Sequence, residues 1–278
     1  MTESYGVRLA ALTADRGPLC VGVDPHPGVL TAWGLPHDVT GLERCARGMV
    51  EALGDLVGVF KPQSAFFEAY GSAGVAILER VLADIRDAGA LSLLDVKRGD
   101  IGSTMDAYAA AYLTDGSPLA ADALTLSPYL GFGSLAGAIE LAEQQGRGVY
   151  VLALTSNPEG PQIQHARTAD GRLVGQVVID EAAARNPGPD LGSVGVVVGA
   201  TIGRTEVDFS RLNGSILAPG LGAQGAGAAD LTEVFGTAAR LVLPAMSREV
   251  MSAGPSVAAL RAAATQALAQ MKAVVQLG

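Results

Sequence analysis

The chain has 278 residues, of which 49% are hydrophobic and 17% are charged, and its formal net charge is −9. This composition indicates a large buried core and excludes a disordered chain. An acidic sequence without a basic tract argues against nucleic-acid binding. Because no signal peptide or membrane span is visible, we expect a cytoplasmic protein that has no contact with a membrane.

The cysteines give little sign of a disulfide or a metal site. Cys20 falls in an apolar strand pattern and Cys45 in a helical pattern, and zinc-ligand spacing is absent from the sequence. In a cytoplasmic protein, these features favour free thiols.

Apolar runs alternate with helical patterns along the whole chain. The predicted strands are 19–24, 56–61, the start of 91–104, 123–127, 148–155, 194–200, 215–219 and 239–244. The predicted helices are 4–16, 41–54, 64–88, one opening at 103, 134–145, 174–185, 204–211 and one from about 256. Ser103 and Asp106 approximate a capping box for the helix at 103.

This alternation predicts a (β/α)8 TIM barrel that forms a single domain over residues 1–278. The strands are continuous apolar runs, as expected when both faces of a parallel sheet are buried. A doubly wound sheet is the alternative, but the first strand is not followed by Gly-x-Gly-x-x-Gly. The long connection 156–172 suggests a lid or a surface insertion.

The stretch 91–104 carries the densest group of charges. Asp95 and Lys97 alternate along a strand and should therefore share a face. Gly99 allows the chain to turn, and Asp100 follows on that turn. A structural salt bridge at a strand end would also account for these residues.

Polar residues recur at the carboxyl ends of several predicted strands, where TIM barrels carry their catalytic groups. They are Asp24, Lys61, Asp95, Lys97, Thr155, Ser156, Thr201 and Arg248. A lone salt bridge does not predict this shared placement, so the pattern favours an active site.

The seventh strand runs into a glycine-rich loop that suits an anion. The loop begins with Pro219 and Gly220 and contains Gln224 and Gly225. Backbone N–H groups of such a loop can surround a phosphate, and Arg248 at the next strand end can add a bidentate contact. Together these features predict a phosphate site.

The charges also restrict the chemistry. Lys61 and Lys97 would hold Asp95 and Asp100 ionised in an alternating array. Such an array suits a reaction in which an anionic group leaves and Lys97 protonates the resulting carbanion. A buried structural network is an alternative, as is a Schiff-base lysine, although flanking carboxylates favour the charged form of Lys97.

These motifs together resemble one known family. Asp95-x-Lys97-x-x-Asp100, with Thr104 beyond it, is similar to the Asp-x-Lys-x-x-Asp motif of orotidine 5'-phosphate decarboxylases. The resemblance extends from residue 20 to about 250, and 125–131 and 155–158 look like a longer bacterial subtype. It also includes residues 23–25, 60–62, 219–225 and 247–248.

The resemblance implies decarboxylation of orotidine 5'-monophosphate to uridine 5'-monophosphate, the last step of de novo UMP synthesis, without metal or cofactor. Lys97 would donate a proton to C6 of the pyrimidine, and Asp95 would lie against the departing carboxylate. Lys61 would connect Asp95 to the ribose, and Asp24 would bind a ribose hydroxyl.

The family pattern also implies a homodimer, in which Asp100 and Thr104 reach into the partner's site. Gln224 and Arg248 would hold the phosphate within the loop that Pro219, Gly220 and Gly225 help to form. Either Thr155 or Ser156 would contact the pyrimidine amide. The sequence departs from the family at 225–226, where two glycines are common.

Two other functions are compatible with these motifs. One is a Mg²⁺-dependent decarboxylase or aldolase of sugar phosphates, built on a related barrel with a similar lysine and acid motif. The other is a nucleotide-binding barrel without catalysis.

Overall fold

A computed structural model shows eight parallel strands that form a closed barrel in the order β1 to β8. It describes residues 3–222, 228–273 and 275. The strands are β1 Cys20–Val23, β2 Val59–Pro62, β3 Leu91–Arg98, β4 Ala123–Leu126, β5 Gly148–Leu154, β6 Gly192–Val198, β7 Gly214–Pro219 and β8 Val242–Met246. Nearly all strand residues are buried, because the barrel interior covers one face and the helices cover the other.

Helices connect most of the strands and surround the barrel. They are α1 Tyr5–Arg16, α2 Pro27–Ala32, α3 Val39–Leu53, α4 Ser64–Glu68, α5 Gly71–Asp87, α6 Gly102–Leu113, α7 Ala136–Gln144, α8 Pro161–Gln164, α9 Val174–Ala184, α10 Ala228–Phe235, α11 Arg248–Met251 and α12 Val257–Lys272. Two 3₁₀ helices cover Phe132–Leu135 and Gly236–Leu241. The predicted TIM barrel is therefore confirmed. Cys20 and Cys45 are free thiols, and both are buried.

The amino end of the barrel is closed by α1. Tyr5 is 1% exposed, and its hydroxyl lies 3.1 Å from that of Tyr150 on β5. A Cβ atom at Gly148 would lie 2.3 Å from the Tyr5 ring, so the start of β5 needs glycine at this position. With this end closed by side chains, the carboxyl ends of the strands are left to form a site.

The helix predicted at 204–211 is absent, and irregular chain connects β6 to β7. In this segment, side-chain oxygens accept hydrogen bonds from backbone N–H groups that a helix would use for its own bonds. Gln176 Oε1 accepts from the N–H of Asp208, whose own carboxylate accepts from the N–H of Ser210. Such side-chain bonds compete with helix formation.

Two predicted boundaries also need correction. Residues 239–241, expected at the start of the last strand, belong to a 3₁₀ helix, and β8 begins at Val242. The predicted capping box does not form, because α6 begins at Gly102 after Ile101 and has no side-chain cap. Gly102 has a φ of 52°, so the helix entry depends on a glycine backbone.

Among the described residues, no helix has the length and apolar character needed to cross a bilayer.

Candidate active site

A charged cluster forms where β2 and β3 end side by side. Asp95 on β3 accepts two ion pairs, one at each carboxylate oxygen. Its Oδ2 lies 3.1 Å from Lys61 Nζ on β2, and its Oδ1 lies 2.5 Å from Lys97 Nζ, two residues along β3. Asp95 and Lys97 therefore share a face, as their alternation along the strand predicts.

The three charges differ in their contact with solvent. The side chains of Lys61 and Asp95 are 9% and 8% exposed, whereas that of Lys97 is 45% exposed. Two ammonium groups thus share one carboxylate, and the side chain of Lys97 is far more exposed to solvent than that of Lys61.

The pairing decides the ionisation of the buried members. Burial alone would raise the pKa of the Asp95 carboxyl, but Lys61 and Lys97 outweigh burial and hold that pKa well below its usual range. Burial alone would lower the pKa of Lys61, but the charges of Asp95 and Asp24 outweigh it and raise that pKa. The buried carboxylate and the buried ammonium are therefore both ionised at neutral pH.

Two uncharged residues complete the surroundings of Asp95. Gln63 Nε2 donates to Asp95 Oδ2 at 2.9 Å, and Thr125 Oγ1 on β4 donates to Asp95 Oδ1 at 2.8 Å. Neither residue is among the predicted site residues. The sequence contains one signal for each residue. Gln63 is an amide residue that directly follows β2, and Thr125 carries the single hydroxyl within the apolar run of β4.

The backbone at Lys97 is unusual. Its φ is 47°, and among the described residues it is the one non-glycine residue with a positive φ. This left-handed conformation is disfavoured for side chains with a Cβ atom and is typical of functional sites.

The positive φ thus lies at Lys97, within β3, and Gly99 after the strand does not have one. Gly99 is needed for another reason. A Cβ atom there would lie 2.3 Å from the carbonyl oxygen of Ser127, which follows β4.

Asp100 and Thr104 lie beyond the charged cluster. Asp100 Oδ1 accepts from the N–H of Ile101, and no hydrogen bond or ion pair joins Asp100 to Lys97 within the described chain. Thr104 is exposed in the first turn of α6. One chain thus brings together three members of the predicted Lys-Asp-Lys-Asp array, and Asp100 is not among them.

A pocket lies beside this cluster, at the ends of β1, β2, β7 and β8. The predicted residues Asp24, Pro219, Gly220 and Arg248 line it, and so does Lys61, which connects the pocket to Asp95. Gly220 has a φ of 99°, which favours glycine. The predicted Gln224 and Gly225 lie outside the described residues.

Glu249 is a further pocket residue, and it is not among the residues predicted from the sequence. Its carboxylate lies over Gly222, where a Cβ atom would be 2.2 Å from Glu249 Cδ. Glu249 Oε1 and Asp24 Oδ1 are buried and have no hydrogen-bond partner among the described residues. The pocket thus contains polar atoms that the described chain does not satisfy.

Thr155 and Ser156 lie apart from both groups. The Thr155 N–H and hydroxyl bond to the side-chain amide of Gln164 on α8, at 2.8 and 2.7 Å. Ser156 is exposed. Within the described chain, neither residue lines the pocket or bonds to the charged cluster. Thr155 instead bonds to Gln164, within the connection 156–172.

The described residues contain no group of three or more His, Cys, Asp and Glu side chains that could hold a metal ion. The site itself provides an ammonium at the barrel mouth, an ionised carboxylate beside it, and a pocket with an arginine. This arrangement can stabilise and protonate a carbanion next to a bound anion.

Comparisons with known proteins agree on one family. The family model described as "Orotidine 5'-phosphate decarboxylase / HUMPS family" matches residues 17–263. A protein of Salinispora arenicola (strain CNS-205) named orotidine 5'-phosphate decarboxylase is 64% identical over 274 residues, which cover 98% of this chain and 99% of the relative. A protein of the same name from Streptomyces coelicolor is 54% identical over the same share of each chain.

Solved structures give the same result. A crystal structure from Streptomyces avermitilis has a TM-score of 0.96 at 57% identity and covers 98% of this chain and 96% of that one. The Leishmania donovani OMP decarboxylase has a TM-score of 0.76 at 30% identity and covers 98% of each chain. This chain belongs to the orotidine 5'-phosphate decarboxylase / HUMPS family.

Proposed function

We propose that this protein decarboxylates orotidine 5'-monophosphate to uridine 5'-monophosphate in pyrimidine biosynthesis. The observation that carries the proposal is Asp95, a buried carboxylate held ionised between Lys61 and Lys97 at the barrel mouth. The names of the close relatives support the same reaction.

Asp95 would act on the substrate carboxylate. Two carboxylates about 4 Å apart repel each other by on the order of 4 kcal/mol at an effective dielectric near 20. Because Lys61 and Lys97 keep Asp95 from taking up a proton, the repulsion persists until the substrate group leaves as carbon dioxide. Asp95 thereby raises the energy of the bound substrate relative to the transition state.

Lys97 would supply the proton. When the bond between C6 and the carboxylate breaks, its electron pair remains on C6 and carbon dioxide departs. The Lys97 ammonium stabilises this carbanion and then transfers a proton to C6, and the neutral amine recovers a proton from water. Lys97 suits this role better than Lys61, because 45% of its side chain is exposed whereas Lys61 is buried.

The remaining residues would bind the rest of the nucleotide. We assign the ribose to Lys61 and Asp24, which lie together in the pocket, and the phosphate to Arg248 and Gly220, which also line it. Gln224, which lies outside the described residues, is assigned to the phosphate from the family pattern alone. Either Thr155 or Ser156, at the start of the connection 156–172, would contact the pyrimidine amide. Binding energy from the phosphate can be used to organise the site for the transition state.

This mechanism uses no metal and no organic cofactor, because Lys97 provides both the positive charge and the proton. A Mg²⁺-dependent reaction on a sugar phosphate is the competing function. It predicts that dialysis against a chelator abolishes activity, whereas our proposal predicts that activity is retained.

The decisive experiment follows the loss of orotidine 5'-monophosphate by absorbance, together with the formation of uridine 5'-monophosphate. The Lys97→Ala variant should retain about 1% of the wild-type turnover or less, as expected for loss of a general acid. Asp122→Asn serves as the matched control, since Asp122 pairs with Arg8 on α1, away from the carboxyl ends of the strands. If the wild-type protein has no turnover, the proposed function is wrong.

We further propose that the protein works as a homodimer in which Asp100 and Thr104 enter the partner's site. The support is an apolar surface formed by Ile101, Tyr129 and Leu130, which are 62%, 76% and 52% exposed. Ile101 follows β3 and comes directly after Asp100, whereas Tyr129 and Leu130 follow the neighbouring strand β4. Apolar groups clustered on a surface are typical of protein interfaces.

Hybrid dimers test this arrangement. Randomly mixed Lys97→Ala and Asp100→Asn chains should recover about a quarter of wild-type activity, because half of the dimers are hybrids with one intact site. Lys97→Ala mixed with Asp95→Asn is the control and should recover nothing, since both residues serve their own barrel. If the first mixture also remains inactive, Asp100 does not act across the interface.

A further inference from the structure

The hydroxyl of Thr125 uses all of its hydrogen-bonding capacity at the end of β3. It accepts from the backbone N–H of Val96 at 3.0 Å and of Lys97 at 2.9 Å, and it donates to Asp95 Oδ1 at 2.8 Å. A hydroxyl has one hydrogen and two lone pairs, so these three bonds fix its direction completely. Thr125 is 1% exposed, so water does not compete for these bonds.

The two N–H groups lie where the sheet itself is irregular. The register between β3 and β4 shifts between Leu94 and Arg98, so Val96 and Lys97 fall within the interrupted part of the ladder. The Thr125 hydroxyl takes the place of the missing ladder acceptors. It thereby stabilises the left-handed backbone of Lys97, which has a φ of 47°.

The same hydroxyl also orients the carboxylate that Lys97 contacts. Asp95 Oδ1 accepts hydrogen bonds from both Thr125 Oγ1 and Lys97 Nζ, at 2.8 and 2.5 Å. One side chain thus holds both the backbone from which the Lys97 side chain projects and the group that positions its ammonium.

We propose that Thr125 is a positioning residue for the decarboxylation, which sets the direction of the Lys97 ammonium through the Lys97 backbone and the Asp95 carboxylate. This inference rests on the proposed function. It assigns Thr125 no contact with the substrate. The loss of its hydroxyl should therefore misplace the proton donor without removing the groups that bind the nucleotide.

Two substitutions separate the hydroxyl of Thr125 from its methyl group. Valine has the shape of threonine but lacks the hydroxyl, whereas serine retains the hydroxyl and lacks the methyl group. Thr125→Val should lower kcat by about ten- to a hundredfold, the order expected for a small misplacement of a catalytic group. The KM for orotidine 5'-monophosphate should change by less than about threefold. Thr125→Ser should keep kcat within about threefold of the wild-type value.

The pH profile separates positioning from a general loss of stability. The bond from Thr125 favours the ionised form of Asp95, together with the larger effects of Lys61 and Lys97. In Thr125→Val the acid limb of kcat should therefore move to higher pH. Asp95 should remain ionised at neutral pH, so the loss of kcat there reflects geometry.

Ser92→Ala is the matched control. Ser92 lies on β3, is 4% exposed, and exchanges hydrogen bonds with Asp122, three residues before Thr125. This variant loses buried hydroxyl bonds at the start of the strand, so its melting temperature should fall while its kcat and pH profile stay unchanged.

The outcomes are distinct. If wild-type turnover is present and Thr125→Val retains full kcat, the positioning role is wrong while the proposed function stands. If Ser92→Ala loses as much kcat as Thr125→Val, the loss comes from a general weakening of the structure, and Thr125 has no positioning role. If Thr125→Val does not fold, Thr125→Ser tests the positioning role instead. A tenfold loss of kcat in this variant, which keeps the hydroxyl, contradicts the proposal. Absence of wild-type turnover refutes both proposals.

Discussion

The cluster around Asp95 and the pocket around Arg248 lie side by side but are built differently. Each oxygen of Asp95 accepts two bonds, which come from Lys61, Gln63, Lys97 and Thr125. In the pocket, buried oxygens of Asp24 and Glu249 have no hydrogen-bond partner among the described residues, and Arg248 is exposed. Hydrogen bonds within the described residues thus order the cluster completely, whereas buried pocket oxygens have no partner among those residues and could bind another molecule.

This contrast suggests a division of labour. Groups that the protein has already ordered can act on the transition state without reorganisation, and their loss should lower kcat. Pocket groups that have no partner among the described residues are suited to bind the substrate, and their loss should mainly raise KM. Lys61 belongs to both regions, because it lines the pocket and pairs with Asp95.

The largest effect should follow from Asp95→Asn. This change removes the negative charge that would repel the substrate carboxylate, and it leaves the buried Lys61 without the carboxylate with which it forms an ion pair. We expect kcat to fall by at least about a hundredfold. The free energy of unfolding should fall by about 3–5 kcal/mol, as is typical when one partner of a buried pair is lost. Steady-state kinetics and urea unfolding measure the two quantities.

Asp122→Asn is the control for Asp95→Asn. Asp122 accepts an ion pair from Arg8, but that pair lies just before β4 begins, away from the barrel mouth. The control should lose some stability and keep its kcat. If Asp95→Asn keeps kcat within a few-fold of the wild-type value, the cluster is a structural ion-pair network.

A smaller effect, of a different kind, should follow from Arg248→Ala. Hydrogen bonds to charged groups contribute about 1.5–3 kcal/mol, which corresponds to a rise in KM of roughly ten- to a hundredfold. At saturating substrate, kcat should fall much less than in Asp95→Asn. Initial rates over a wide range of substrate concentration separate the two parameters.

Arg240→Ala provides the comparison for Arg248→Ala. Arg240 is also exposed and lies in the 3₁₀ helix before β8, but it does not line the pocket. Its removal changes the net charge equally and should leave KM unchanged. If both variants raise KM to the same degree, the effect comes from the overall charge, and the assignment of Arg248 to the phosphate fails.

The same contrast explains what the sequence could predict. The barrel follows from eight apolar runs, and the meeting of Lys61, Asp95 and Lys97 follows from strand alternation and from parallel strands ending at one edge. The part played by Thr125 depends on the register shift between β3 and β4, which the pattern of neither strand contains. The incorrect helix at 204–211 has a similar origin, since its backbone is bonded by the distant Gln176.

The smallest effect concerns pH, and it tests whether Asp95 is ionised by its surroundings. Its pKa in the folded protein is lower than in the unfolded chain, where it should be about 3.9. A lowered folded pKa contributes stability that is present above the unfolded pKa and is lost as the pH falls towards the folded pKa. The stability advantage of the wild type over Asp95→Asn should therefore shrink as the pH is lowered from about 5 to about 3.

Urea unfolding at a series of pH values, followed by circular dichroism, measures this difference. One titrating carboxylate can change the free energy of unfolding by at most about 1.4 kcal/mol per pH unit. Because Asp95 is buried, the slope should persist in about 0.5 M salt, where exposed pairs are screened. If the wild-type and Asp95→Asn curves run parallel over this range, the two lysines do not depress the pKa of Asp95. The ordered character assigned to the cluster would then lose its electrostatic basis.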